Sequence, residues 1–86
     1  MNGSGYIYFW RKDDAAGNIR VCKGNFAGLN VAFEFARCDK ALQKTLRQIN
    51  INRKRECPPP ADALLVSFDL AIDAEGDMIA VNVSQV

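Results

Sequence analysis

Apolar and polar positions alternate with a period of two over Val66, Phe68, Leu70 and Ile72, set against Ser67, Asp69, Ala71 and Asp73. That is the pattern of a ribbon with one buried face. The run passes through Ala74-Glu75-Gly76 into Asp77-Met78-Ile79-Ala80-Val81-Asn82-Val83. A polar turn containing a glycine free to take positive φ predicts a hairpin. Near the other end, Tyr6-Ile7-Tyr8-Phe9-Trp10 is aromatic and β-branched, and the pattern breaks in Arg11-Lys12-Asp13-Asp14 and Ala15-Ala16-Gly17-Asn18. A first strand is expected there. Ile19 to Lys23 reads as a second strand, and Val31-Ala32-Phe33-Glu34-Phe35 as a third with Val31, Phe33 and Phe35 on one side.

Between the third strand and the hairpin the period changes. Leu42, Leu46 and Ile49 recur at helical spacing, Lys40, Gln43, Lys44, Arg47 and Gln48 take the other faces, and Asp39 is placed to cap the first turn. A helix of about three turns over 39–50 follows. Residues 50–62 read as an exposed connector, with Arg53-Lys54-Arg55 followed by Pro58-Pro59-Pro60, which holds the backbone extended.

Five strands in 86 residues make one small domain over 1–86, with residues 39–62 as its helix and basic, proline-rich connector. A hydrophobic fraction of 49% distributed in short runs argues for a folded chain rather than a disordered one. No run approaches the roughly 20 apolar residues of a membrane span. The opening Met1-Asn2-Gly3-Ser4-Gly5 lacks a basic region followed by an apolar one. A cytoplasmic location without membrane contact is therefore expected. Cys22, Cys38 and Cys57 are odd in number, widely spaced and without a Cys-x-x-Cys pair, so they read as reduced structural thiols rather than a disulfide framework. A zinc site through three cysteines is the less supported reading, because the chain has no histidine.

The net charge of +1 conceals a segregation along the chain. From Arg37 to Arg55 seven basic residues stand against Asp39 alone, and after Arg55 six acidic residues follow with no Lys or Arg. A basic segment of this kind attracts phosphate unless the two halves neutralise each other in space. Enzymatic readings are poor. Without histidine neither a Cys-His nor a Ser-His-Asp nucleophile can be built, and no phosphate-cradling G-x-x-x-x-G-K-[ST] motif is present. Asp73, Glu75 and Asp77 lack the spacing of a calcium loop. No catalytic residue, metal or cofactor is expected.

The expected fold is all-β, a five-stranded antiparallel barrel of the oligonucleotide-binding type with a short helix between strands three and four. Gly5-Tyr6-Ile7-Tyr8-Phe9-Trp10 resembles the first strand of cold-shock domains, G-x-V-K-W-F. Val66-Ser67-Phe68-Asp69, Asp73, Gly76 and Ala80-Val81-Asn82-Val83 resemble their last two. The likeness covers about 60 residues and implies binding of single-stranded RNA or DNA by base stacking. Where that family carries K-G-F-G-F-I and V-F-V-H-F, this chain has Asn18 and Arg20 in place of phenylalanines, Ala32 in place of a ring and Glu34 in place of the histidine, with only Phe35 matching directly. The nucleic-acid contacts so implied are Tyr8, Phe9, Trp10, Arg20 and Phe35, with Arg11 and Lys12 beside the strand end. To these the basic segment adds Lys44, Arg47, Arg53, Lys54 and Arg55 as phosphate contacts. The alternative is a barrel that has lost base stacking and binds a protein, presenting its basic helix to an acidic surface as a regulator or inhibitor, a reading favoured by Glu34 and the thinned aromatic set.

Overall fold

In the computed structural model, residues 2–23 and 28–86 are described. They form β1 (Asn2–Arg11), β2 (Ala16–Arg20), β3 (Asn30–Glu34), a 3-10 turn (Phe35–Arg37), α1 (Lys40–Leu46), β4 (Ile51–Asn52), β5 (Leu65–Ile72) and β6 (Met78–Gln85). The sheet closes on itself in the order β1-β2-β3-β6-β5 and back to β1, with β4 added to the C-terminal half of β1. Four of the five pairings in the ring are antiparallel, but β3 and β6 run parallel. This corrects the expectation of an antiparallel barrel, and the reason is parity. Directions that alternate around a closed ring need an even number of strands, so a ring of five contains at least one parallel pair. A parallel pair cannot be joined by a tight hairpin, and here the chain between β3 and β6 runs through α1, β4 and β5.

Two bulges set which side chains face inward. In β1 the register slips between Ile7 and Phe9, so Tyr8 and Phe9 together oppose one residue of β2. Ile7 and Trp10 then both point into the core even though three positions separate them. In β6 the slip lies opposite Ser67–Asp69, where Asn82 takes φ 51° and its side-chain amide donates to Asp69 Oδ2 at 2.9 Å. Asparagine tolerates this left-handed conformation better than most residues. On β5 the expected alternation holds at Val66 and Phe68 and fades toward the hairpin, with Leu70 half-buried and Ile72 exposed. The turn itself is as expected, with Gly76 at φ +87°.

The core joins Ile7, Trp10, Ile19, Val31, Phe33, Val66, Phe68, Ala80 and Val83 from the strands with Leu42 and Leu46 from α1. Asp39 caps the helix by accepting from the Leu42 amide at 2.8 Å. The helix is shorter than the expected span, and Ile49 lies outside it, exposed. Phe35 is not on β3 but in the 3-10 turn, half-buried and stacked on Trp10.

The connector departs most from expectation. Ile51–Asn52 is a strand paired with Phe9 and Trp10, and the rest doubles back so that Arg53 meets Asp62 at 3.0 Å. Cys57 is joined to Cys22 by a disulfide with a Cα–Cα separation of 5.6 Å, which overturns the reading of both as reduced thiols. Spacing in sequence carried no trace of this pair because the two residues meet only after the connector folds over β1. Cys38 is the free thiol among the described residues; burial, and then the Asp39 carboxylate, push it up to about 12 from an ordinary 9.0. Alkylation of the native protein at pH 8 is therefore expected to label no cysteine, unfolding without reductant to expose one, and unfolding with reductant three. Because the raised value belongs to the folded state, the neutral thiol contributes fully below pH 9.0, and its contribution is lost as pH rises toward about 12. Rapid native labelling of Cys38 at pH 8 would contradict its burial.

Candidate functional site

The twelve residues expected to contact a ligand do not form one surface. Trp10 is fully buried, stacked on Phe33 at 5.5 Å, and its indole N–H donates to the Leu46 carbonyl at 2.9 Å. It is a core residue and presents no face to a base. Arg20 is also buried, at 8% exposure, with Nη1 donating to Asn30 Oδ1 at 2.7 Å. It has no exposed guanidinium plane for stacking. Tyr8 is half-buried at the β1 bulge, and its carbonyl accepts from the Arg53 amide at 2.7 Å.

Four of the expected residues do meet, the fully buried Trp10 in the wall of a cleft and three others around it. Lys12, Phe35 and Arg47 line this cleft of about 470 Å³ beside the end of α1, with the Arg47 guanidinium 5.2 Å from the centre of the Phe35 ring. The Lys12 amide is held by Asn50 Oδ1 at 2.9 Å, which fixes the β1 end against the residues after the helix. Arg11 and Lys44 are exposed. Asp13 also lines the cleft and offsets part of its charge.

Arg53 is engaged by Asp62, whose carboxyl it holds below the usual carboxylate range by a side-chain hydrogen bond. Lys54 and Arg55 remain exposed on a backbone fastened at several points. The Tyr6 hydroxyl, 2.7 Å from both the amide and the carbonyl of Glu56, also reaches the Lys54 carbonyl at 3.4 Å. The next residue is Cys57, in the disulfide.

Phe9 lines a different groove, of about 360 Å³, on the outer face of β2, β3 and the β5–β6 hairpin. Asn18 and Ala32 are paired on neighbouring strands at its floor, at the positions where the cold-shock likeness would place rings. Met78 and Ile79 add apolar surface. Asp14, Glu34, Asp73 and Asp77 supply carboxylates from three separate parts of the chain, and no Lys or Arg is among the residues lining the groove. Asp73 Oδ1 accepts from the Glu75 and Asp77 amides, each at 2.9 Å, and so shapes the turn that brings Asp77 to the rim. In the sequence Glu34 and the acidic C-terminal third were visible, but not their convergence with Asp14 around Phe9.

The surface charge thus stays segregated in three dimensions. Among the described residues the single ion pair is Arg53–Asp62, so the basic segment and the acidic third do not neutralise each other by direct contact beyond that pair. No helix among these residues is long and apolar enough to cross a membrane. No protein-family model, curated protein or solved structure matches the chain.

Proposed function

We propose that the chain is a non-catalytic binding barrel of oligonucleotide-binding type that takes a cationic segment of a protein in its acidic groove. The strand order, the parallel pair that closes the ring and the helix following the third strand support the barrel type. The observation that carries the function is the lining of the groove. Four carboxylates surround Phe9, Met78 and Ile79 with no cation among them. A phosphate backbone laid along this face would meet like charge, whereas lysine or arginine side chains would meet opposite charge beside apolar surface for their stems. The cold-shock resemblance then describes an inherited scaffold, with Asn18 and Ala32 marking where base stacking was given up. The Cys22–Cys57 pair favours a compartment in which disulfides persist over the reducing cytosol.

The test is a titration with a short peptide of alternating arginine and leucine and, in parallel, with short homopolymer DNA and RNA, each at low and high salt. The peptide is expected to bind in a salt-sensitive manner. Neutralising Glu34→Gln, Asp73→Asn and Asp77→Asn together is expected to weaken it about tenfold, since rim charges contribute a few tenths to about 1 kcal/mol each and 1.4 kcal/mol is a factor of ten. The Asp73→Asn change keeps a side-chain oxygen for the turn amides. Homopolymer binding that Phe9→Ala or Tyr8→Ala weakens, with no peptide binding, would overturn the proposal in favour of the single-strand reading.

A further inference from the structure

The partner of the acidic groove can be taken further than a cationic segment in general. We infer that it is a second copy of this chain, with Lys54 and Arg55 of one copy entering the groove of the next. This inference rests on the groove reading above.

Three observations point to it. First, the chain carries both halves of a complementary pair on its own surface and does not join them, since the single ion pair among the described residues engages only Arg53 and Asp62. Second, the two cations are presented on a preorganised backbone. The Tyr6 hydroxyl binds the main chain on both sides of Arg55, the Cys22–Cys57 bond anchors the following residue but one, and the Arg53–Asp62 pair closes the loop behind them. Ordering entropy that a free cationic tail would lose on binding has already been lost on folding. Third, the groove combines carboxylates with Phe9 and Met78, which suits the long aliphatic stems behind an ammonium and a guanidinium. Lys54 and Arg55 are exposed and have no carboxylate partner among the described residues. A contact between two different patches closes as a reciprocal two-fold pair or, head to tail, as a ring or an open chain of copies.

Sedimentation velocity across roughly 1 µM to 1 mM protein spans the affinity range of such contacts. At about 10 mM salt, where screening is weak, the sedimentation coefficient of the wild type is expected to rise with concentration, and at about 1 M it is expected not to. Two variants then divide the contact. Asp73→Asn/Asp77→Asn keeps the cations and removes two of the four groove carboxylates; Lys54→Ala/Arg55→Ala keeps the groove and loses the cations. Each alone is expected to remain monomeric at low salt, and an equimolar mixture to recover association as one-to-one pairs. Thermal melts of each variant verify that the fold persists. A wild type that stays monomeric at low salt while still binding the arginine–leucine peptide would overturn self-recognition and leave the groove reading intact. Loss of peptide binding as well would remove both. Association that survives in either variant alone would also overturn the proposed contact.

Discussion

Trp10→Ala is expected to destabilise the protein by about 3–5 kcal/mol, the range for deleting a large buried aromatic side chain. Against the roughly 5–15 kcal/mol that holds a typical domain together, this brings a chain of 86 residues close to the unfolding midpoint. The expectation comes from position. The ring is fully buried, stacked on both Phe33 and Phe35, and its N–H satisfies the last-turn carbonyl of Leu46. One side chain therefore links β1, β3, the 3-10 turn and α1. Trp10→Phe retains most of the ring but leaves the Leu46 carbonyl without its donor, for which about 1–3 kcal/mol is expected. Urea denaturation followed by circular dichroism measures both. A Trp10→Ala variant within about 1 kcal/mol of the wild type would mean that the ring is not a core residue, and would return it to the set of ligand contacts.

Loss of the Cys22–Cys57 cross-link has an effect of similar size. The bond closes a loop of 35 residues, for which the chain-entropy relation gives about 4 kcal/mol. The double variant Cys22→Ser/Cys57→Ser should lower the urea midpoint accordingly, and reductant should do the same to the wild type while leaving the variant unmoved. A second readout follows from geometry. With the bond gone, the Tyr6 hydroxyl and the ties of Arg53 to Tyr8 and Asp62 are left to fasten the backbone around Arg55, and the side toward Pro58 is released, so trypsin should cut after Lys54 and Arg55 faster than in the wild type. Equal cleavage rates and an unchanged midpoint would show that the cross-link does not hold the connector. Because Lys54 and Arg55 are the cations assigned to the groove of a second copy, reduction should also weaken self-association at low salt.

The local features of the fold were legible from residue patterns. Strand character at Tyr6–Trp10 and Val66–Phe68, the hairpin around Gly76, the Asp39 cap and the inward Leu42 and Leu46 all depend on chemistry within a few residues. Even the mixed polarity of the barrel was implicit in a count of five, since a closed odd ring cannot alternate throughout. The ligand-facing residues were less legible. A single bulge at Tyr8 reassigns every face beyond it, because strand side chains alternate and one extra residue inverts the pattern. That slip sends Trp10 inward and leaves Phe9 in the groove.

What only the tertiary structure decided is the set of encounters between distant segments. Cys22 meets Cys57 because the connector crosses β1 and returns, a path that begins with the pairing of Ile51–Asn52 to Phe9 and Trp10. Asp14 from the first turn, Glu34 from the end of β3 and Asp73 and Asp77 from the last hairpin share one rim because barrel closure sets β3 beside β6 in a fixed register. The sequence by itself determined the strand character of β1, β3, β5 and β6, where the helix starts and how the charge divides along the chain, since each of these is a property of neighbouring residues. It set the second strand at 19–23 where the structure has Ala16–Arg20, and it missed Ile51–Asn52, because pairing with β1 fixes both. Which charges stand together, and which aromatic rings reach solvent, depended on strand register and closure, and those are set by the packing of the whole barrel.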